Sequence, residues 1–270
     1  MRLLRQGLDL DGFFERLRDA PARALVLDYD GTLAPFRERR ESALPYPGVR
    51  EMLHAIQAAG ETLLVLVSGR PAESLEGLIG LSRAPEVWGS HGRERSRDGR
   101  RETGGELPEA DRRALSVLAG WIAGEAGESA LERKPFGVAV HWRDRAPLDA
   151  VRLRQRAIER FRSATAGTDL EVLEFEGGVE VRPRGDHKGA VIERLLEEFP
   201  RGAAVAYLGD DQTDEDAFAA LAGKGLSVLV RKALRPTAAD LWLKPPEELL
   251  EFLRRWLEAS SLSSSGRGKG

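Results

Sequence analysis

Two carboxylates placed directly after an apolar segment constrain this chain more than any other feature of its sequence. Residues 24–27 are aliphatic, Asp28 and Asp30 follow them, and Gly31 lets the backbone turn. Four consecutive aliphatic residues suit a strand that is buried on both faces of a parallel sheet. Because open α/β folds bind ligands at the carboxyl edge of such a sheet, these residues predict an α/β fold with a metal and phosphate site at that edge.

Two other interpretations of the Asp-x-Asp-Gly segment exist. An Asx turn that closes the strand needs no ligand and explains the same residues. A calcium loop of the EF-hand type also begins Asp-x-Asp, but it requires glycine at its sixth position and an acidic residue at its twelfth. Leu33 and Arg39 stand at those positions, so the calcium loop is excluded.

Composition sets broader limits on the fold and on the partners of the protein. The chain has 270 residues, of which 41% are hydrophobic, enough for one large domain or two small ones with a sizeable core. Its formal net charge of -3 gives no basic field that would attract nucleic acid. Because the chain has no cysteine, disulfides, thiolate metal sites and a thiolate nucleophile are excluded.

The first 21 residues argue against an export signal. They mix charged and apolar residues, and four apolar side chains share one helical face, namely Leu10, Phe13, Phe14 and Leu17. A signal peptide would need an unbroken apolar core in this region. No stretch approaches the roughly 20 apolar residues that a membrane span requires. We therefore expect a cytoplasmic protein that interacts with neither membranes nor nucleic acids.

A second predicted strand places a hydroxyl at the same edge of the sheet. Residues 62–67 form this strand, and the helix predicted over 47–60, with proline at its start and glycine at its end, completes a βαβ unit. Ser68 ends the strand, so its hydroxyl is expected near Asp28. There it either binds a phosphate oxygen or caps the helix that follows.

The first predicted domain ends after a third short strand. Residues 86–88 form this strand and lead to His91, which stands near glycines that allow a close backbone approach. Residues 93–105 are charged and glycine-rich, and Asp98-Gly99 suits a tight hairpin turn. We interpret this segment as the exit from the first domain.

Helix, strand, helix and hairpin patterns follow and indicate an inserted domain. Apolar periodicity predicts helices over about 107–127 and 148–162, a strand at 137–143 and a hairpin around Gly177-Gly178. The predicted organisation is a Rossmann-like parallel-sheet core at 1–105 and 184–258, an α+β cap at 106–183 and a disordered Ser/Gly-rich tail at 259–270.

The predicted cap carries an unusual number of polar residues on or beside its strands: Glu132, Lys134, His141, Arg143, Glu180 and Arg182. Side chains at positions i and i+2 of a strand share a face, so several of them are expected together. Such a face suits an anionic group and sugar hydroxyls. A solvated sheet face with cross-strand ion pairs is the competing interpretation.

Lys188 opens the helix that follows the cap. An ammonium near the positive end of a helix is unfavourable unless an anion is bound there. We therefore regard Lys188 as a candidate ligand of a phosphate.

Five acidic residues within seven positions, 210–216, follow a buried strand predicted at 204–208. An acidic first turn that caps the next helix explains Asp214 and Glu215. It does not explain why Asp210 and Asp211 directly follow a buried strand. If this strand neighbours the first strand, Asp28, Asp30 and Asp210 converge. Their oxygen atoms would then suit Mg²⁺.

These motifs, in this order, resemble the haloacid dehalogenase superfamily of phosphohydrolases. The segments His141-Trp142-Arg143 and Glu180-Val181-Arg182-Pro183, with the doubled Asp210-Asp211, are similar to those of its trehalose-6-phosphate phosphatases. The resemblance covers residues 22 to about 257. It implies a Mg²⁺-dependent phosphatase with the haloacid dehalogenase fold and a cap, acting on trehalose 6-phosphate through an aspartyl phosphate.

The resemblance also implies roles for the residues of the core. Asp28 is the expected nucleophile, and Asp30 the expected acid and base, with a pKa raised by neighbouring carboxylates. The metal residues are Asp28, Asp30 through its main-chain carbonyl, and Asp210, with Asp214 in support. Ser68, Gly69 and Lys188 are expected to hold the phosphoryl oxygens.

Substrate recognition is assigned by the same resemblance to His91 in the core and to Glu132, Lys134, His141, Trp142, Arg143 and Glu180 in the cap. One departure is the pair Gly177-Gly178, where relatives often carry a basic residue. Closure of the cap is expected to exclude water from the reaction.

Two alternatives remain open at this point. A phosphatase for sucrose phosphate or a glycosyl phosphoglycerate would keep every core residue and differ only in what the cap recognises. A sugar-phosphate sensor without activity would not need a nucleophile beside an acid. In each case we expect a monomer that binds a small-molecule substrate.

Overall fold

The computed structural model describes residues 1–37, 39, 42–143, 145–175 and 177–261. The chain divides into two compact units, Met1–Glu102 with His187–Gly270, and Thr103–Asp186. These boundaries lie three residues from the predicted limits of core and cap. The predicted tail from residue 259 is wrong at its start, because the last helix continues to Ser261. The rest of that tail, 262–270, lies outside the described residues.

The strands and helices are numbered in chain order. The strands are β1 (Arg2–Leu3), β2 (Arg23–Leu27), β3 (Thr62–Val67), β4 (Glu86–Gly89), β5 (Glu94–Arg97), β6 (Arg100–Thr103), β7 (Leu131–Lys134), β8 (Gly137–His141), β9 (Leu170–Phe175), β10 (Gly178–Pro183), β11 (Ala204–Gly209), β12 (Leu226–Val230) and β13 (Leu241–Leu243). The helices are α1 (Leu10–Asp19), α2 (Val49–Ala58), α3 (Ala72–Ile79), α4 (Glu109–Ala126), α5 (Pro147–Ala164), α6 (Lys188–Glu198), α7 (Glu215–Leu221) and α8 (Glu247–Ser261).

The first unit contains a nine-stranded sheet in the order β1-β13-β12-β11-β2-β3-β4-β5-β6. Strands β13 to β4 are parallel, which confirms the predicted Rossmann-like core. Strand β2 lies between β11 and β3. The strand before Asp28 and the strand before Asp210 are therefore neighbours, as the predicted metal site requires. The segment predicted as the exit from the first domain, 93–105, contains the boundary of the first unit after Glu102 and forms the hairpin β5-β6 at the sheet edge around the predicted turn. Its turn residues, Asp98 and Gly99, both have positive φ.

Helices cover both faces of this sheet, as expected for a parallel sheet that buries both faces. All five residues of β2 are buried. Leu25 and Leu27 pack on the side of α1, α2, α3 and α8, whereas Ala24 and Val26 pack on the side of α6 and α7. The continuous aliphatic pattern of β2 follows directly from this burial on two sides.

The second unit is an antiparallel sheet of four strands in the order β7-β8-β10-β9. Helices α4 and α5 pack on one face, against side chains that include Val138, Val140, Val179 and Val181. This confirms the predicted α+β character, although β7 was not predicted as a separate strand. The alternate side chains of the strands point to the opposite face, which we call the open face.

Among the residues that the structure describes, no helix is both long enough and apolar enough to cross a membrane.

Candidate active site

Asp28 lies at the carboxyl end of β2 and is held by three hydrogen bonds. Its backbone N–H donates to the Leu208 carbonyl of the neighbouring β11 at 2.8 Å. Its buried carboxylate accepts from Thr32 Oγ1 through Oδ2 at 3.0 Å and from Lys188 Nζ through Oδ1 at 2.6 Å. The orientation of this carboxylate is therefore set by groups from β2's own turn and from α6.

Lys188, the first residue of α6, joins the two acidic segments of the sequence. Its buried ammonium donates to Asp28 and also to Asp214 Oδ1, at 2.7 Å. The other oxygen of Asp214 accepts the backbone N–H groups of Asp210 and Asp211, each at 2.9 Å. Tyr207 also donates its hydroxyl to Asp214. Three segments distant in sequence thus meet at one edge of the sheet, as the motifs predict.

Asp28, Asp210 and Asp214 form a carboxylate cluster suited to a metal ion. One oxygen from each lies within 4.8 Å of the others, and all three residues are buried. Gly31, at φ 84°, borders the cluster, and a Cβ there would lie 2.1 Å from Asp210 Oδ2. Only glycine fits here, because the position has a left-handed backbone and Asp210 occupies the space of a Cβ.

The electrostatics of the cluster favour a cation. Burial raises the pKa of Asp28 to about 7, with Lys188 opposing this shift and Asp214 adding to it. Burial, Asp28 and Asp214 also raise the pKa of Asp210 well above its ordinary range. Burial disfavours the charged form of Lys188, but Asp214 and Asp28 outweigh burial and raise its pKa, so it stays an ammonium.

The donor set of the cluster matches a hard divalent cation. Three buried carboxylates face the one ammonium of Lys188. Oxygen ligands of this kind are those preferred by Mg²⁺. The cluster therefore fits the metal that the sequence predicts, with Asp214 as a full member.

Asp30 lies outside this cluster and is bound by a residue to which the sequence analysis gave no role. Arg70 donates Nε to Asp30 Oδ2 and Nη2 to Oδ1, both at 2.6 Å. The Arg70 guanidinium also lies over the Tyr29 ring, 5.7 Å from its centroid. The sequence places Arg70 just after the second predicted strand but carries no signal of this contact. Neighbouring carboxylates were expected around Asp30, whereas the structure pairs it with a cation.

Ser68 does not cap the helix that follows, so that interpretation is wrong. Helix α3 begins only at Ala72, and its preceding residue is Pro71. The Ala72 N–H donates instead to Glu94 Oε2 at 2.9 Å. Ser68 Oγ is buried at the end of β3, where it accepts the backbone N–H of Arg70 at 3.2 Å.

Gly69 and His91 lie beside Ser68, so the ends of β3 and β4 contribute adjacent groups. The His91 N–H donates to the Ser68 carbonyl at 3.0 Å, and His91 adopts a left-handed φ of 60°. A Cβ at Gly69 would lie 2.6 Å from His91 Nε2. The buried imidazole therefore occupies space that any residue other than glycine would fill.

The acidic run at 210–216 divides into two functions. Asp210 and Asp214 belong to the carboxylate cluster, whereas Asp211 caps the short 3-10 helix Gln212–Asp214 by accepting the Gln212 N–H at 2.7 Å. Glu215 forms an ion pair with Arg235, and Arg235 also donates to the Asp211 carbonyl at 2.7 Å. The expectation that capping does not explain Asp211 is therefore wrong, whereas Asp210 and Asp214 lie together in the carboxylate cluster.

In the second unit, four of the predicted recognition residues lie on the open face as two pairs. Lys134 Nζ donates to Glu180 Oε2 at 2.6 Å, and His141 Nε2 lies 2.7 Å from Glu132 Oε2. These are cross-strand pairs, as the competing interpretation expected. The Lys134 and Glu180 side chains, however, are only 9% and 4% exposed, so this part of the face is not a solvated surface.

Trp142 and Arg143 differ from this group. Trp142 packs against the hydrophobic cluster on the helix side of the sheet, so it does not share the open face with His141. The strict alternation of side chains along an extended strand is the reason. Arg143 lies against the hairpin before β10, where a Cβ at Gly177 would be 2.3 Å from Arg143 Cγ. Gly177 has a φ of 90°, the left-handed region that favours glycine, where the sequence analysis noted the missing basic residue.

Comparison with known proteins decides the family. A family model described as trehalose-phosphatase matches residues 26–246, most of the chain. The chain belongs to the trehalose-phosphatase family. This family region includes every residue of the carboxylate cluster.

Two curated relatives agree with this family. A trehalose-phosphate phosphatase of Mycobacterium marinum is 32% identical over 260 residues, with 91% of this chain and 64% of that protein aligned. A bifunctional trehalose-6-phosphate synthase/phosphatase of Thermoproteus tenax is 33% identical over 217 residues, with 79% of this chain and 29% of that protein aligned. The chain therefore spans less than two thirds of the length of these relatives.

A solved structure shows the same fold. The C-terminal domain of trehalose-6-phosphate phosphatase from Candida albicans superposes with a TM-score of 0.80 at 21% identity, covering 96% of this chain and 99% of that domain. The fold is that of the haloacid dehalogenase superfamily, with its α/β core and an additional α+β unit.

Proposed function

We propose that this member of the trehalose-phosphatase family hydrolyses trehalose 6-phosphate to trehalose and phosphate with the help of Mg²⁺. The observation that carries the proposal is the buried Asp28 carboxylate, which Lys188 holds beside Asp210 and Asp214. A nucleophile, an ammonium and a metal-binding carboxylate set at one sheet edge are the parts that phosphoryl transfer requires.

Asp28 is the proposed nucleophile. One carboxylate oxygen attacks phosphorus, the bond from phosphorus to the sugar oxygen breaks, and an aspartyl phosphate forms. Water then attacks the phosphorus of this acyl phosphate, the bond from phosphorus to the Asp28 oxygen breaks, and phosphate leaves with Asp28 again a carboxylate. Dividing the hydrolysis in this way replaces one slow step by two easier ones.

Asp30 is the proposed acid and base. It donates a proton to the departing sugar oxygen and later takes one from the attacking water. Its carboxylate is oriented by the two hydrogen bonds from Arg70. The structure therefore supports an additional positioning residue, Arg70, beside the predicted pair of carboxylates.

The metal and the phosphoryl group complete the first unit's part in the reaction. Asp28, Asp210 and the Asp30 carbonyl would hold Mg²⁺, with Asp214 in support, and the bound ion would offset the charge of the phosphoryl group. Ser68, Gly69 and Lys188 would hold the phosphoryl oxygens. The proximity of Ser68 and Gly69 to His91 supports a role for this histidine beside the phosphorylated end of the sugar.

The open face of the second unit is the proposed sugar-binding surface. Its support is the pair Lys134 and Glu180, which is buried yet offers charged hydrogen-bonding groups, together with Glu132 and His141. Carboxylates accept hydrogen bonds from sugar hydroxyls, and ammonium groups donate to them. Arg143 lies at the edge of this face near the hairpin. Trp142 is left out of the proposal because it packs on the helix side.

A panel of phosphate esters tests the proposed function. Phosphate release with Mg²⁺ is measured for trehalose 6-phosphate, sucrose 6-phosphate, a glycosyl phosphoglycerate and acetyl phosphate. We expect the highest kcat/KM for trehalose 6-phosphate. A higher value for another sugar phosphate would replace the substrate but keep the mechanism. Loss of all activity in Asp28→Asn, with folding retained, is expected, and wild-type activity in this variant would refute the nucleophile.

A further inference from the structure

Phe175, the last residue of β9, lies on the open face of the second unit. In the register of the sheet it is opposite Gly178, and Gly178 is in turn opposite His141 on β8. The rings of Phe175 and His141 lie edge to face, with centroids 5.3 Å apart and planes at 61°. An aromatic side chain therefore stands directly beside one of the polar pairs described above.

Glycine leaves the space that this ring occupies. A Cβ at Gly178 would lie 2.1 Å from Phe175 Cζ, so the ring covers the backbone of β10 where another residue would place its side chain. Gly137 and Ala139 share the open face on β8, between β7 and β10. The small residues of β8 thus lie beneath the Lys134–Glu180 pair, which joins β7 to β10, and the Phe175 ring and the Glu132–His141 pair lie beside them.

The surroundings of Phe175 differ from those of a core aromatic. The hydrophobic cluster of this unit lies on the helix side of the sheet, and within the described part of the chain Phe175 is not among its members. Phe175 is half-buried, whereas the core residue Phe161 is fully buried. Phe175 thus packs on Gly178 and His141, outside the hydrophobic cluster of the unit, and part of the residue stays exposed beside the polar pair.

We propose that Phe175 is a specificity-determining residue that stacks against a pyranose ring of the sugar substrate. This inference rests on the proposed function. A pyranose presents hydroxyls around its rim and an apolar C–H face, so it matches a site with polar pairs at its border and one aromatic wall. Glu132 and His141 would take rim hydroxyls while the Phe175 ring covers the apolar face.

Substitution of Phe175 separates stacking from space filling. Phe175→Leu keeps an apolar side chain of similar volume without a flat ring, whereas Phe175→Tyr keeps the ring. We expect Phe175→Leu to raise KM for trehalose 6-phosphate about 3- to 10-fold with kcat changed less than about twofold. Phe175→Tyr should retain the wild-type KM. The kcat/KM for acetyl phosphate, which has no sugar, should be the same in all three proteins.

A matched control removes an aromatic ring from the core of the same unit. Phe161→Leu should lower the melting temperature but leave KM for trehalose 6-phosphate unchanged. A wild-type KM in Phe175→Leu would overturn the stacking role. It would leave the proposed hydrolysis of trehalose 6-phosphate by the wild type unaffected. Equal increases of KM in the Leu and Tyr variants, or an increase in Phe161→Leu, would reduce Phe175 to a packing role. Failure of the wild type itself to hydrolyse trehalose 6-phosphate would refute the proposed function first.

Discussion

Arg70 holds Asp30 in a bidentate ion pair, with both N–H···O distances at 2.6 Å. The guanidinium fork matches the two carboxylate oxygens and so fixes the plane of the carboxylate as well as its position. Arg70 is itself fixed, because its backbone N–H donates to Ser68 Oγ and its guanidinium lies over the Tyr29 ring. The orientation of the proposed acid and base is thus set from the end of the neighbouring strand.

Replacement of Arg70 is expected to affect turnover more than binding. Arg70→Lys keeps the positive charge but loses the two parallel hydrogen bonds, so we expect kcat for trehalose 6-phosphate to fall roughly 10-fold or more with KM nearly unchanged. Steady-state kinetics measure both constants. Arg254→Lys provides the control. Arg254 pairs with Glu251 and Glu258 on the exposed surface of α8. An unchanged kcat in Arg70→Lys would show that Asp30 needs no such support.

Adjacent acidic residues are expected to differ sharply in metal dependence. Asp210→Asn removes a carboxylate from the cluster, so the Mg²⁺ concentration for half-maximal activity should rise about 10- to 100-fold. Asp211→Asn, one residue later, should stay near the wild-type value because asparagine also caps the 3-10 helix. Titration of activity with Mg²⁺ compares the two. Equal effects of both substitutions would contradict the division of the acidic run.

Removal of the buried ammonium is expected to destabilise the protein without metal. Lys188→Met leaves Asp28, Asp210 and Asp214 buried without their cation, and breaking a buried pair of this kind costs about 3–5 kcal/mol. The melting temperature should therefore drop in the presence of a chelator. Mg²⁺ should restore part of the loss, because it supplies positive charge to the same carboxylates. A deficit that Mg²⁺ leaves untouched would argue against metal binding in this cluster.

The effect of Mg²⁺ on stability is expected to grow with pH. The pKa of Asp28 is raised from 3.8 to about 7 by burial in the folded protein, so the folded state without metal retains this proton up to about pH 7 whereas the unfolded chain releases it near pH 4. Stability without metal therefore falls as pH rises through this window. Mg²⁺ binds the ionised carboxylate and must displace the proton at lower pH.

Thermal unfolding with and without Mg²⁺ checks this expectation. The increase in melting temperature caused by Mg²⁺ should be larger at about pH 8 than at about pH 6. Asp28→Asn, which has no carboxyl proton to lose, should show a weaker dependence on pH. An increase of the same size at both pH values in the wild type would contradict the raised pKa of Asp28.

The predictable part of the site came from residues whose position follows from strand ends. Asp28, Ser68 and Asp210 each follow an aliphatic segment, and parallel strands bring their carboxyl ends to one edge, so their proximity could be expected. Alternation along a strand placed Glu132 on the same face as Lys134 and Glu180 on the same face as Arg182, but it did not bring the two strands together. The same rule, applied strictly, would have removed Trp142 from the face of His141.

Other features depended on partners that spacing does not reveal. The sequence indicates neither that Arg70 reaches Asp30 nor that Ser68 accepts from Arg70 instead of capping α3, because both contacts depend on how the loops after β2 and β3 fold. Phe175 was overlooked because its importance depends on Gly178, a residue of the next strand.

The amino-acid sequence by itself determined the alternation of strands and helices, the parallel core and the identity of the groups at its edge, since these follow from local apolar patterns and from where each strand ends. The tertiary structure alone decided which charges pair. Hydrogen bonds and ion pairs act over about 3 Å, and the side chains that meet at this range come from segments far apart in the sequence; Asp28 and Lys188 are 160 residues apart.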